Sequence, residues 1–149
     1  MVIISYLLGL LLIINYQLAL AYIGVSIKLR HLILPTLLLF IIAFISKIVF
    51  QAPPIIHTIV IMLACAALLH IFNKVDLVLS IIGSLLSIIT FVAGSLLIAC
   101  PFMIKIGFKI PNETTGFQWI LLNLAEYFVP TLVLIVLKMK KFSPVKVLS

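Results

Sequence analysis

The chain has 149 residues, of which 66% are apolar and only 9% charged, with a mean hydropathy of +1.48. Soluble domains carry about 25% charged residues, so an ordinary water-soluble globule is excluded and the composition points to an all-α integral membrane protein. The net charge of +7 does not mark a nucleic-acid binder, because the ten basic residues fall mostly in gaps between apolar blocks, where they act as topology signals.

The first block, Met1 to Val25, carries no charge. At about 1.5 Å per residue it exceeds the ~30 Å hydrocarbon core and is expected to be a retained first span. No cation precedes it, while Lys28 and Arg30 follow it, the reverse of a secretory signal peptide. Leu32 to Phe50 is the second block, with Lys47 near its end; Gln51-Ala52-Pro53-Pro54 then stops it, because paired prolines remove helix donors. Ile55 to Phe72 is the third, with His57 and His70 near its two ends. Asn73-Lys74-Val75-Asp76 turns the chain into the fourth, Leu77 to Ala99, which is expected to end at Cys100-Pro101.

Ile104, Ile106, Phe108 and Ile110 then alternate with Lys105, Gly107 and Lys109, a period-2 pattern that predicts a short extended interfacial segment between the fourth and fifth helices. Pro111-Asn112-Glu113-Thr114-Thr115-Gly116 reads as an exposed turn, and its Asn112-Glu113-Thr114 sequon as a loop signal. The fifth block, Phe117 to Leu137, leads into a basic tail over residues 138–149. The expected architecture is thus one transmembrane domain, a bundle of five helices spanning about 1–25, 32–50, 55–72, 77–99 and 117–137.

Orientation follows from the excess of lysine and arginine in cytoplasmic loops. With the N-terminus outside, Lys28, Arg30, Lys74, Lys138, Lys140, Lys141 and Lys146 lie inside, against Lys47, Lys105 and Lys109 outside, and seven against three predicts N-out, C-in. Loops of unlike length and composition give no internal repeat, which disfavours an inverted-repeat transporter.

Two helix faces stand out. On the fourth span Ser80, Gly83, Ser87, Thr90 and Gly94 recur at steps of three and four. Lipid tails are as apolar as leucine, so close approach through small residues is what joins helices in a bilayer, and this face is expected to be a packing seam that tolerates alanine but not bulk. On the fifth span Trp119, Asn123, Glu126 and Pro130 share a face, with Glu126 near the membrane centre. A central carboxylate must face the bundle, be paired or be protonated; intramembrane acids are functional candidates for ion, proton or signal handling. A protonated Glu126 can donate to Thr90, which has the same expected depth, and Pro130 frees the Glu126 carbonyl. Lys47, roughly 4.5 Å below the outer surface, can snorkel or pair with Glu126, about 9 Å deeper. Asn15 and Gln17 are expected to bond across helices, with Ala19 letting a neighbour approach, while Tyr6, Tyr22 and Trp119 suit interfacial anchors.

No catalytic signature is present: no phosphate loop, Gly-x-Ser-x-Gly elbow, His-Glu-x-x-His or Cys-x-x-Cys. His57 and Cys65 are about 12 Å apart along one helix, and His70 and Cys65 about 140° apart around it, so neither pair is a dyad. A contact of Cys100 with His57 between neighbouring helices is the one remaining thiol–imidazole candidate. A Cys65–Cys100 bridge would cross about 15 Å of depth and is excluded. No enzyme activity, metal or cofactor is expected.

Ile120-Leu121-Leu122-Asn123-Leu124-Ala125-Glu126-Tyr127-Phe128-Val129-Pro130, followed by Lys138-Met139-Lys140-Lys141-Phe142, resembles the membrane-embedded input regions of Firmicutes sensor histidine kinases. The resemblance extends to the hydropathy plan of the chain, but no phosphoacceptor helix or nucleotide box accompanies it. It implies a non-enzymatic sensory or regulatory module in a bacterial plasma membrane, acting through a partner membrane or signalling protein or as a homo-oligomer. The alternative is a small transporter or channel subunit in which Glu126 handles a proton or cation.

Overall fold

A computed structural model of the chain describes residues 12–105, 107, 116–140 and 144. The first part of the first block with Tyr6, the sequon, most of the period-2 segment and most of the tail lie outside the described residues, as do the side chains of Trp119 and Asn123.

The described residues are helical, with no strand among them. Helix α1 is Leu12–Tyr22, and a 3₁₀ turn at Leu29–His31 leads into α2, Ile33–Phe44, which continues as a π-helical turn at Ile45–Val49. Helix α3 is Pro54–Asn73. Helix α4 is Leu77–Gly94; it passes through a second π-helical turn, Ser95–Ala99, into the short α5, Cys100–Lys105. Helix α6 is Gly116–Lys140. Three continuous segments, Leu29–Val49, Ile55–Asn73 and Leu77–Phe102, are long and apolar enough to cross a membrane, at 21, 19 and 26 residues.

Local chemistry sets the helix ends. Helix α1 closes in a Schellman arrangement: Gly24 has φ 72°, Val25 N–H donates to the Leu20 carbonyl at 2.9 Å and Gly24 N–H to that of Ala21 at 3.1 Å. The Pro53-Pro54 pair that stops α2 also starts α3, because Pro54 stands in the first turn, where a missing N–H costs nothing. Lys74, at φ 53°, ends α3. Asp76 then caps α4, its carboxylate accepting from Val78 N–H at 2.9 Å and Leu79 N–H at 3.3 Å. Asp76→Ala is expected to cost about 1 kcal/mol of stability, against no loss for Asp76→Asn, measured by thermal unfolding in detergent.

Ile104 and Lys105 are helical, which corrects the extended segment expected from residue 104 onward; the chain turns at Gly107, φ 82°. Extending an existing helix is easier than starting new structure. The wider turn at Ser95–Ala99 also places Pro101 in the first turn of α5, so the Cys100-Pro101 pair does not end the helix.

Helix α4 lies at the centre, packed against α1, α3 and α6, while α1 also touches α6 and α2 leans mainly on α3. The short connections 50–53 and 74–76 make α3 antiparallel to both α2 and α4, so the two π-helical turns lie at one end of the bundle. The core between α1, α2 and α3 is apolar, built on Tyr16, Leu39 and Leu69, and the Tyr16 hydroxyl donates to the Asn73 side chain at the foot of α3.

A line of small polar side chains is buried within the bundle, while many large apolar ones face outward. Ser80, Ser84 and Ser87 are at most 1% exposed, whereas Leu97 and Ile55 are each 75% exposed. Apolar side chains such as Leu34, Ile59, Leu63, Leu85, Phe128 and Ile135 line the outside of several helices, a surface unlike that of a soluble monomer.

Candidate functional site

The small face of α4 meets α1 at backbone distance. A Cβ built on Gly83 would lie 2.9 Å from the Ala19 carbonyl oxygen and 3.1 Å from the Ile23 side chain. One turn further, Ser87 Oγ donates to the Asn15 carbonyl at 2.8 Å. Both helices therefore approach through their least bulky positions, and the serine gains a partner from the neighbouring backbone. Ser84 lies beside the buried Cys65 thiol of α3. Thr90 is only half-buried; it donates to the Leu86 carbonyl at 2.8 Å and shares a hydrogen bond with the Tyr22 hydroxyl.

Gly94 belongs to a different contact. A Cβ there would stand 2.8 Å from Val129 Cβ and 3.4 Å from both the Glu126 carbonyl oxygen and Pro130 Cδ. Alanine would thus collide at Gly83 and at Gly94, which corrects the expectation that the seam tolerates it: at these two positions the neighbour is backbone or a β-branched side chain that has nowhere to go.

Glu126 faces this second contact. Pro130, fully buried inside α6, has no N–H to offer the Glu126 carbonyl, so that oxygen has lost its usual helical partner where α4 is narrowest. The Glu126 carboxyl, half-buried, accepts from Ser95 Oγ at 3.2 Å. Phe91 and the buried Tyr127 close one side, with ring centroids 5.1 Å apart at 58°.

The expected Thr90–Glu126 pair is therefore replaced by Ser95–Glu126. The depth count took Ala99 as the outer end of the fourth span, whereas the helix runs on to Lys105, so the residue as far from that end as Glu126 is from the start of α6 is Ser95 rather than Thr90. Lys47 is exposed and forms no ion pair with Glu126 among the described residues. At the same end of the bundle His57 Nδ1 shares a hydrogen bond of 3.2 Å with buried Ser46.

A regularity that sequence reasoning missed emerges here. Each π-helical turn carries a serine, Ser46 or Ser95, that bonds a titratable side chain on a neighbouring helix, His57 or Glu126. A serine on an apolar helix is the only sequence signal for either contact. At the opposite end His70 Nδ1 donates to the Val75 carbonyl at 2.8 Å, and Lys138 Nζ donates to Gln17 Oε1 at 2.7 Å. Asn15 Oδ1, by contrast, is buried with no partner among the described residues. Cys65 and Cys100 are free thiols, and no cluster of metal-ligating side chains occurs among the described residues.

Comparison with protein-family models, curated proteins and solved structures finds no match. What the fold defines is the class: an all-helical protein with, among the described residues, three helices long and apolar enough to cross a membrane, and an apolar core joined by a line of buried serines on α4.

Proposed function

We propose that the chain is a non-enzymatic, multi-spanning membrane module of N-out, C-in topology, sensory or regulatory in role, which acts through a partner protein or a second copy of itself. The supporting observation is the pair of π-helical turns at one end of the bundle, each tied through a serine to a side chain that gains or loses a proton. A π turn holds one residue more than α-helix requires, and such turns recur at functional sites. Its relaxation to α-helix would rotate the residues beyond it by about 100°. Changing the proton or ligand on Glu126 alters the bond that Ser95 makes, and α6 leads from Glu126 to the basic exit at Lys138 and Lys140. The exposed apolar surface supports a lipid surround, and the resemblance to sensor-kinase input regions supports a bacterial plasma membrane.

The transporter reading draws on the same place. The Glu126 carboxyl, the Ser95 hydroxyl and the carbonyl freed by Pro130 are oxygen donors of the kind a proton or small cation uses. Proteoliposomes separate the two. In the module reading, Glu126→Gln alters the mobility of a spin label at Met139, 79% exposed near the exit of α6, and wild-type vesicles pass no protons or sodium above empty controls. Ion flux that Glu126→Gln abolishes, with an unchanged label spectrum, would overturn the module in favour of the transporter.

A further inference from the structure

A cavity of about 500 Å³ opens at the end of the bundle where α1 and α6 terminate. Leu20, Val25, Ile27, Leu32 and Leu137 give it an apolar wall, and Gln17 and Lys138 supply a polar edge. The Schellman closure of α1 turns the Leu20 and Ala21 carbonyls to the Val25 and Gly24 amides, so two of the acceptors at that helix end are already in use. Lys138 is exposed and held by Gln17 Oε1 at 2.7 Å; this contact takes one of its three N–H donors and leaves two. Lys28 and Arg30, both exposed, follow Ile27 on the connection beside the cavity. Asp76, the acid that caps α4, is not among the lining residues and already accepts from the Val78 and Leu79 amides.

We propose that this cavity binds an anionic phospholipid, its phosphate on Lys138 and one acyl chain against Leu20 and Leu137. The apolar wall alone would accept any lipid tail; the ammonium at its edge selects a negative headgroup, and basic pockets between helices at the cytoplasmic face are built in this way. Gln17 fixes the ammonium at the edge, so it acts as a positioning residue. The site rests on the membrane reading of the chain, which a separate measurement tests.

Lipid retention by the detergent-purified full chain, followed by native mass spectrometry, decides the matter. Phosphatidylglycerol should be retained as a discrete one-to-one adduct, preferred over phosphatidylcholine by about tenfold. Lys138→Gln should abolish that preference, Gln17→Ala should reduce it, and Lys140→Gln should leave it unchanged. Equal retention of the two lipids would overturn the proposal, as would equal losses in Lys138→Gln and Lys140→Gln, which would indicate only diffuse attraction to a basic end. Displacement of phosphatidylglycerol by millimolar inorganic phosphate would also overturn it, since the site would then be one for a free anion. Vesicle flotation keeps the two readings apart: a chain that floats without lipid preference fails this proposal alone, and one that does not float fails both.

Discussion

Gly94→Leu is expected to separate α4 from α6 and to unfold the bundle or abolish its assembly. Even the first carbon of the new side chain would lie 2.8 Å from Val129 Cβ, and the Glu126 carbonyl and the Pro130 ring on either side are rigid. Gly94→Ala should by itself cost about 1 to 3 kcal/mol, the usual range for overpacking a close contact. Gly83→Ala should cost a comparable amount, because the Ala19 carbonyl oxygen stands 2.9 Å away and belongs to a helix backbone. Ser87→Ala already fits the space and removes only the bond to Asn15, so a loss of about 1 kcal/mol is expected. Thermal unfolding in detergent, with the oligomeric state followed by size exclusion, gives this order directly. Equal stabilities for Gly94→Ala and the wild type would show that α4 and α6 do not meet at Gly94.

Glu126 should divide stability from function according to what replaces it. Glutamine keeps the shape and still accepts from Ser95, so the fold should survive with less than about 1 kcal/mol lost. Alanine removes the acceptor and leaves a void between α4 and α6, at a cost of about 1 to 3 kcal/mol. Ser95→Ala tests the same bond from the other side. In a double-mutant cycle, Ser95→Ala and Glu126→Ala should couple by at least about 0.5 kcal/mol because the two side chains touch. Thr90→Ala and Glu126→Ala should be additive, because Thr90 bonds Tyr22 instead. Coupling of Thr90 in place of Ser95 would return Glu126 to the depth expected from sequence alone.

The helical plan was legible because proline, glycine and charge punctuate it. Pro53-Pro54 ended one helix and began the next, and Asp76 stood where a cap was needed. The spacing of Ser80, Gly83 and Ser87 made the central helix recognisable, since small residues at steps of three and four have one obvious use in an apolar helix. Register was not legible. Counting depth at a constant rise cannot foresee a π-helical turn, and one such turn together with the longer fourth segment was enough to exchange Thr90 for Ser95 beside Glu126. The tie between Lys138 and Gln17 was also hidden, because the topology brings both helices to one side of the bundle but nothing in either shows that α1 and α6 pack against each other. Alternation over a few residues misled at Ile104 and Lys105, where an established helix simply continued.

Cysteine accessibility tests the central claim of a bundle crossing the membrane with its N-terminus outside and its basic exit inside. In a background lacking Cys65 and Cys100, Lys105→Cys should react with an impermeant maleimide on intact cells, and Lys140→Cys only after permeabilisation. Lys109→Cys should behave as Lys105→Cys does. Labelling of Lys140→Cys on intact cells, or protection of Lys105→Cys until the membrane is opened, would contradict the account.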